Sequence, residues 1–141
     1  MKKKYDRAEP FIATRAHHDF EIAEDYVEII SDLLAVNDKA RVCDIASQMG
    51  VSHVTVIRTL KRLEKKGLLN SEESSSITLT KEGEALASSI RKRHLFLFKY
   101  LTTLGVPEEI ARIDVEGMEH HVSETTQKVL QAHLEKYLEK S

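Results

Sequence analysis

The stretch Asp114–Val115–Glu116–Gly117–Met118–Glu119–His120–His121 places carboxylates and imidazoles at a spacing suited to metal chemistry. Read as a helix at about 100° per residue, it sets Glu116, Glu119 and His120 within roughly 100° of one another. Two carboxylates and an imidazole on one face oppose water-poor packing unless their charge is neutralised, and a divalent cation neutralises it. Asp25 and Glu28, at i and i+3 of an earlier helical stretch, offer two further oxygens, and His94 offers another imidazole. His121 points about 100° away from His120 and is left out of the set. Each residue also has a plainer reading. Asp25 and Glu28 share a face with Glu21 and Asp32 that can simply be solvated. His94 follows Arg91–Lys92–Arg93 and suits a surface or an interface, and Glu116, Glu119 and His120 suit an exposed helix face.

A second chemistry, DNA reading, lies between Arg41 and Lys66. Residues 42–49 (VCDIASQM) form a short helix stopped by Gly50, and Ser52 is placed to cap a longer helix over 53–66, closed by Gly67. A helix–turn–helix has this shape because its turn sets the second helix steeply, with its N-terminal end free for a major groove. Ile45, Val51, Val56, Leu60 and Leu63 are expected on the buried side. Ser52, His53, Thr55, Arg58 and Thr59 are expected outward, followed by Lys61, Arg62, Lys65 and Lys66. The early polar residues can reach base edges and the later cations can hold phosphates. Arg58 is the best base reader, since its fork binds guanine O6 and N7 together. An amphipathic surface helix with solvated lysines is the alternative. Cys43, in the first of the two helices, reads as a small core residue.

The remaining elements must position these groups. A helix from Glu21 to Asn37–Asp38 carries Ile22, Tyr26, Ile30, Leu33 and Leu34 at helical spacing. Residues 1–20, with Pro10 and a His17–His18–Asp19 cluster, read as a flexible arm or a short first helix. Residues 68–80 (LLNSEESSSITLT) suggest a small β-hairpin with a Ser/Glu tip. A helix over about 81–104 presents Leu86, Ile90, Leu97 and Leu101, Gly105–Val106–Pro107 breaks it, and helices near 107–122 and 123–140 follow. The fold class is therefore mainly α: an N-terminal winged helix–turn–helix with a small β-hairpin, plus a C-terminal α-helical dimerisation region. The expected division is 1–20 as an arm, 21–80 as the DNA-binding domain and 81–141 as the metal-binding and dimerisation domain.

Composition bounds the function. The chain of 141 residues is 41% hydrophobic with a formal charge of −2, so a DNA-binding surface must be a local basic patch. No apolar run approaches the roughly 20 residues of a membrane span, and no signal peptide or membrane partner is expected. The single cysteine rules out an internal disulfide and suits a reducing compartment, so a cytoplasmic location is expected.

Taken together, these segments resemble the MntR branch of the DtxR-type metalloregulators. The likeness runs from about Ile22 to at least Val129. It is carried by Glu24–Asp25–Tyr26–Val27–Glu28, the helix–turn–helix of 42–66, Leu79–Thr80–Lys81–Glu82–Gly83, Arg93–His94 and the 114–123 segment. The resemblance implies a metal site between the DNA-binding and dimerisation parts, with Asp25, Glu28, His94, Glu116, Glu119 and His120 as ligands. It further implies two Mn(II) ions per subunit, a homodimer, a palindromic double-stranded DNA operator and repression of manganese-uptake genes. The iron-responsive branch carries a Met and a Cys where this chain has Asp25 and Glu116. The sulfur-free set favours Mn(II) over softer metals, while Fe(II) accepts the same ligands. Departures from the family are the acidic, serine-rich hairpin tip and Val54, preceded by His53. The N-terminal arm is longer than in Bacillus-type members and similar to the enterobacterial type, and no SH3-like third domain is expected.

Three rival classes make different demands, the last of them a metal-buffering or protein-interaction module, favoured if the purified protein binds no duplex at all. A carboxylate-bridged di-metal enzyme calls for paired Glu-x-x-His motifs, and neither these nor His-Glu-x-x-His occurs, so no enzyme is expected. A metal-independent winged-helix repressor leaves the six-residue constellation without a role, and metal-insensitive DNA binding is its signature.

Overall fold

The structure is a computed structural model and describes residues 6–71 and 76–141. The described residues form six helices and one two-stranded sheet. They divide into two compact units. One holds Ile22–Arg91, and the other holds the residues up to Glu21 together with Lys92–Ser141.

In the Ile22–Arg91 unit, the core is built by α1 (Ala8–Asn37) from Ala23 onward, α2 (Val42–Met49) and α3 (His53–Lys65). Tyr26, Ile30 and Leu33 of α1 pack with Ile45, Ala46, Val56, Leu60 and Leu63, as their helical spacing predicts. Gly50 ends α2 in the left-handed region at φ 68°, and its N–H donates to the Ala46 carbonyl. Ser52 then caps α3, its Oγ accepting from the Thr55 N–H at 3.2 Å. The hairpin strands β1 (Leu69–Asn70) and β2 (Thr78–Leu79) run antiparallel, with Leu69 opposite Leu79 and Asn70 opposite Thr78. Ile77 joins the core, and its N–H donates to the Ala40 carbonyl at 2.9 Å. The central part of the hairpin tip, Glu72–Ser75, lies outside the described residues.

Two inward expectations do not hold here. Val51 is more than a third exposed, because it sits in the turn after α2. Cys43 is exposed. It lies about 100° around α2 from the face formed by Val42, Ile45, Ala46 and Met49.

Thr80 joins the hairpin exit to α4 (Lys81–Thr103). Its hydroxyl donates to the Gly67 carbonyl at 2.6 Å and accepts from the Gly83 N–H at 3.1 Å. Gly83 is buried against the hairpin, and a Cβ there would run into the backbone carbonyl of Leu68. Gly83→Ala is therefore expected to destabilise the protein by about 1–3 kcal/mol, the range of forced overpacking. Urea unfolding checks this. A change below about 0.5 kcal/mol, ordinary for a surface substitution, contradicts the close packing.

Helix α1 starts at Ala8, well before the expected Glu21. Asp6 caps it, its Oδ1 accepting from the Ala8 N–H at 2.9 Å. Pro10 then falls in the first turn, where its missing N–H leaves no helical bond unmade. Residues 1–5 lie outside the described residues.

In the unit containing Lys92–Ser141, α4 ends at Thr103. Helices α5 (Glu108–His121) and α6 (Glu124–Lys140) follow. Gly105 turns the chain at φ 107°, and Ser123 caps α6 by accepting from the Thr126 N–H at 3.2 Å. Leu97, Ala111, Val115 and Leu134 are buried, while Ile110, Ile113 and Val129 are exposed. No helix among the described residues is long and apolar enough to cross a membrane.

Candidate functional site

Helix α4 supplies His94, and α5 supplies Glu116, Glu119 and His120. His94, Glu116 and Glu119 each bring one ligand atom within 4.8 Å of the other two. His94 Nδ1 lies 2.7 Å from Glu119 Oε2 and 3.8 Å from Glu116 Oε1. Next along α5, His120 Nε2 lies 3.5 Å from the other Glu119 oxygen, Oε1. Arg93 donates to the Glu119 backbone carbonyl at 3.0 Å, holding α4 against this turn of α5.

Glu119 is the unusual member, since its side chain is 0% exposed. Burial pushes its carboxyl above the ordinary carboxylate range. The hydrogen bond with His94 works against that rise, and the Glu116 charge adds to it. Glu119 Oε1 accepts no hydrogen bond among the described residues. A buried carboxylate oxygen without a donor is a large desolvation cost, and a divalent cation is the partner that its neighbours, a carboxylate and two imidazoles, can share. The residues present thus fit a divalent metal.

Asp25 and Glu28 stand at i and i+3 on α1 in the other unit, both half-buried. Glu21 was not expected as a ligand, yet one of its oxygens comes within 4.8 Å of a His120 ring nitrogen. The signal was present: Glu21 is four residues before Asp25, one helical turn along the same face.

Helix α3 exposes most of the side chains that the sequence places outward. His53, Arg58, Lys61, Arg62 and Lys65 are exposed along α3. Ser52 and Thr55 are exposed too, but their hydroxyls lie 3.0 Å apart and engage each other at the cap. Thr59 is the correction, because it is only 8% exposed. Its hydroxyl donates to the Thr55 carbonyl at 2.9 Å, which satisfies it within its own helix and lets it pack inward. Two apolar residues were missed on the open side: Val54 is 65% exposed and Ile57 44%. Both lie off the Val56–Leu60–Leu63 stripe, and apolar groups so placed suit the methyl group of thymine.

Two family models match the two parts of the chain. Residues 20–77 match the family model of the iron dependent repressor N-terminal DNA binding domain. Residues 80–140 match that of the iron dependent repressor metal binding and dimerisation domain. The transcriptional regulator MntR of Escherichia coli O157:H7 is 47% identical over 121 residues, covering 86% of this chain and 78% of that protein. The HTH-type transcriptional regulator MntR of Bacillus subtilis is 37% identical over 100 residues, 71% of this chain and 70% of that one. Among solved structures, the manganese regulator SloR superposes with a TM-score of 0.69 at 30% identity, over 80% of this chain and 53% of that one. A manganese-dependent transcriptional repressor in complex with manganese gives 0.71 at 28%, over 79% and 52%. The chain thus spans about half the length of these structural relatives. It belongs to the MntR branch of the DtxR-type metal-dependent transcriptional regulators.

Proposed function

We propose that the chain is a manganese-responsive DNA-binding transcriptional repressor, acting in the cytoplasm as a homodimer on a palindromic operator at manganese-uptake genes. The observation that carries this reading is the sulfur-free cluster of His94, Glu116 and Glu119, whose central carboxylate is wholly buried. The proposed ligand set is Asp25, Glu28, His94, Glu116, Glu119 and His120, four carboxylates and two imidazoles, holding two Mn(II) ions per subunit. Hard oxygen donors suit Mn(II), and geometry must supply the selectivity, because affinity order alone prefers zinc. The iron-dependent family models support Fe(II) as the second reading. The domain assignment goes with this: residues 21–80 bind DNA and 81–141 bind metal and dimerise, with 1–20 as an N-terminal arm.

When bound, the metal neutralises the acidic side chains. His94 and Glu119 already hold one another at hydrogen-bond distance, so part of the ligand geometry is set before binding. Differential binding of the ion to the DNA-competent state then shifts DNA affinity, and only to that extent. The deciding experiment is anaerobic DNA-binding titration against genomic fragments at buffered free concentrations of each metal. Tight binding that appears with Mn(II) supports the reading. Binding that appears only with Fe(II) transfers it to iron, and binding indifferent to metal overturns it.

On DNA, the proposed contact set is Ser52, His53, Thr55, Arg58, Lys61, Arg62 and Lys65, with Thr59 removed by its burial. Arg58→Ala is expected to lower specific binding by about 1–3 kcal/mol and to relax base preference at one position. Lys65→Ala should weaken specific and non-specific binding alike and reduce the salt slope by about one. Equal losses of specificity from both changes contradict the division of roles. For the Ser71–Ser76 hairpin tip, little phosphate contact is expected.

The exposed Ile110, Ile113 and Val129 on α5 and α6 support the homodimer, since a second copy can cover them. Sedimentation should show a dimer at micromolar concentration, and a monomer there in the presence of metal and DNA counts against it.

A further inference from the structure

Helix α3 carries five aliphatic side chains, and only Val56, Leu60 and Leu63 of them are buried. Val54 and Ile57 are exposed. At about 100° per residue, Val54 lies roughly 120–180° around α3 from the three buried ones, and within roughly 40° of Arg58, Lys61 and Lys65. It therefore stands at the middle of the face that carries the proposed DNA-contacting cations. Ile57 lies about 60° to one side of Val54, next to Lys61. Both lie in the first half of α3, the part of a recognition helix that meets base edges. Both are β-branched, a type that favours a helix less than alanine does, so helix stability does not account for their placement.

We propose that Val54 and Ile57 select thymine in the operator by taking its C5-methyl group in the major groove. The inference rests on the DNA-reading role proposed for α3 and adds two apolar readers to its polar contact set. Guanine, adenine and cytosine meet a major-groove reader with donors and acceptors, whereas thymine adds a methyl group. An aliphatic side chain pressed on a donor or acceptor strips it of water and returns no hydrogen bond, which is a cost. Pressed on a methyl group, it removes apolar surface from water on both sides, which is a gain. The two residues thus reject the other bases as well as rewarding thymine. A β-branched side chain is stiff at χ1, so it has little rotamer freedom to lose on docking. Arg58, four residues after Val54, is the proposed guanine reader, so polar and apolar reading sit side by side on one helix. The plain alternative is a pair of solvated aliphatic groups, as isolated ones on a surface usually are.

The test uses the full chain with Mn(II) and the genomic fragment it binds most tightly, synthesised once with thymine and once with uracil throughout. Uracil lacks only the methyl group. The parent should bind the thymine duplex more tightly by at least about fourfold, the worth of one buried methyl group. The double variant Val54→Ala with Ile57→Ala should bind the two duplexes alike, and each single variant should show an intermediate ratio. Lys65→Ala should bind both more weakly and keep the parent's ratio, because a phosphate contact is blind to the base. Circular dichroism and Mn(II) equivalents should be those of the parent in every variant. Equal affinity of the parent for the two duplexes overturns the proposal. So does a double variant that keeps the parent's ratio, because the methyl groups are then read elsewhere. A single variant that keeps the full ratio removes its residue from the assignment. The comparison needs only a bound duplex, and one bound with Fe(II) or without metal serves equally, so failure of the manganese reading is told apart from failure here. A chain that binds no duplex overturns both.

Discussion

Glu119→Gln should abolish the manganese response while leaving the metal-free protein at least as stable at neutral pH. The carboxyl is wholly buried, and one oxygen accepts no hydrogen bond among the described residues. Burial already pushes its pKa up, so its ionised form is a strain on the metal-free fold. An amide of the same shape removes that strain and still reaches His94. It is a far poorer ligand than a carboxylate. Losing an outer partner of a metal ligand typically costs 10–100-fold in affinity, and loss of the ligand itself should exceed about 100-fold. His120→Ala should be comparably severe, since it deletes an imidazole from the same turn. His94→Ala should lose one ion and retain a partial response. Calorimetric metal titration with thermal melts, with and without Mn(II), separates these effects. A Glu119→Gln protein that binds Mn(II) and DNA like the parent would falsify the metal site.

Manganese affinity should also rise steeply with pH. The folded, metal-free chain holds a proton on Glu119 at pH values where the unfolded chain, with its ordinary value of 4.5, has released it. The folded state therefore binds more protons in that window, and the stability this group contributes falls as pH climbs through the raised pKa. Metal binding must expel the same proton. Below the raised pKa, each pH unit should bring up to about a tenfold gain in affinity, accompanied by proton release. Calorimetry in buffers of different ionisation enthalpy counts the protons. A parent affinity that does not rise with pH above the ordinary carboxylate value of 4.5 contradicts the linkage.

How much of this was written legibly in the chain varied with the physics. Helix ends carrying their own chemistry were readable: Gly50 at a left-handed position and Ser52 with its cap bond. The ligand spacing on α5 was readable because a helix fixes which residues share a face. Thr59 was misplaced because a polar side chain was assumed to seek water. Its hydroxyl instead finds a carbonyl one turn back, and the methyl side packs inward. Cys43 was misplaced because residue type was given more weight than helical angle. The early start of α1 was hidden by Pro10, which marks a break in a helix interior but fits a first turn. Glu21 was read only as part of the acidic face with Asp25 and Glu28, because its neighbours His120 and His121 lie about a hundred residues along the chain.

The exposed thiol of Cys43 has a practical side. As the chain's one cysteine, it offers a unique attachment point for a fluorophore at the start of α2, inside the DNA-reading unit. A dye placed there reports DNA docking without any engineered residue. The same exposure lets two chains cross-link on standing in air, and such covalent pairs mimic a native dimer on a sizing column. Assembly measurements therefore belong in fresh reductant, with Cys43→Ser as the reference protein.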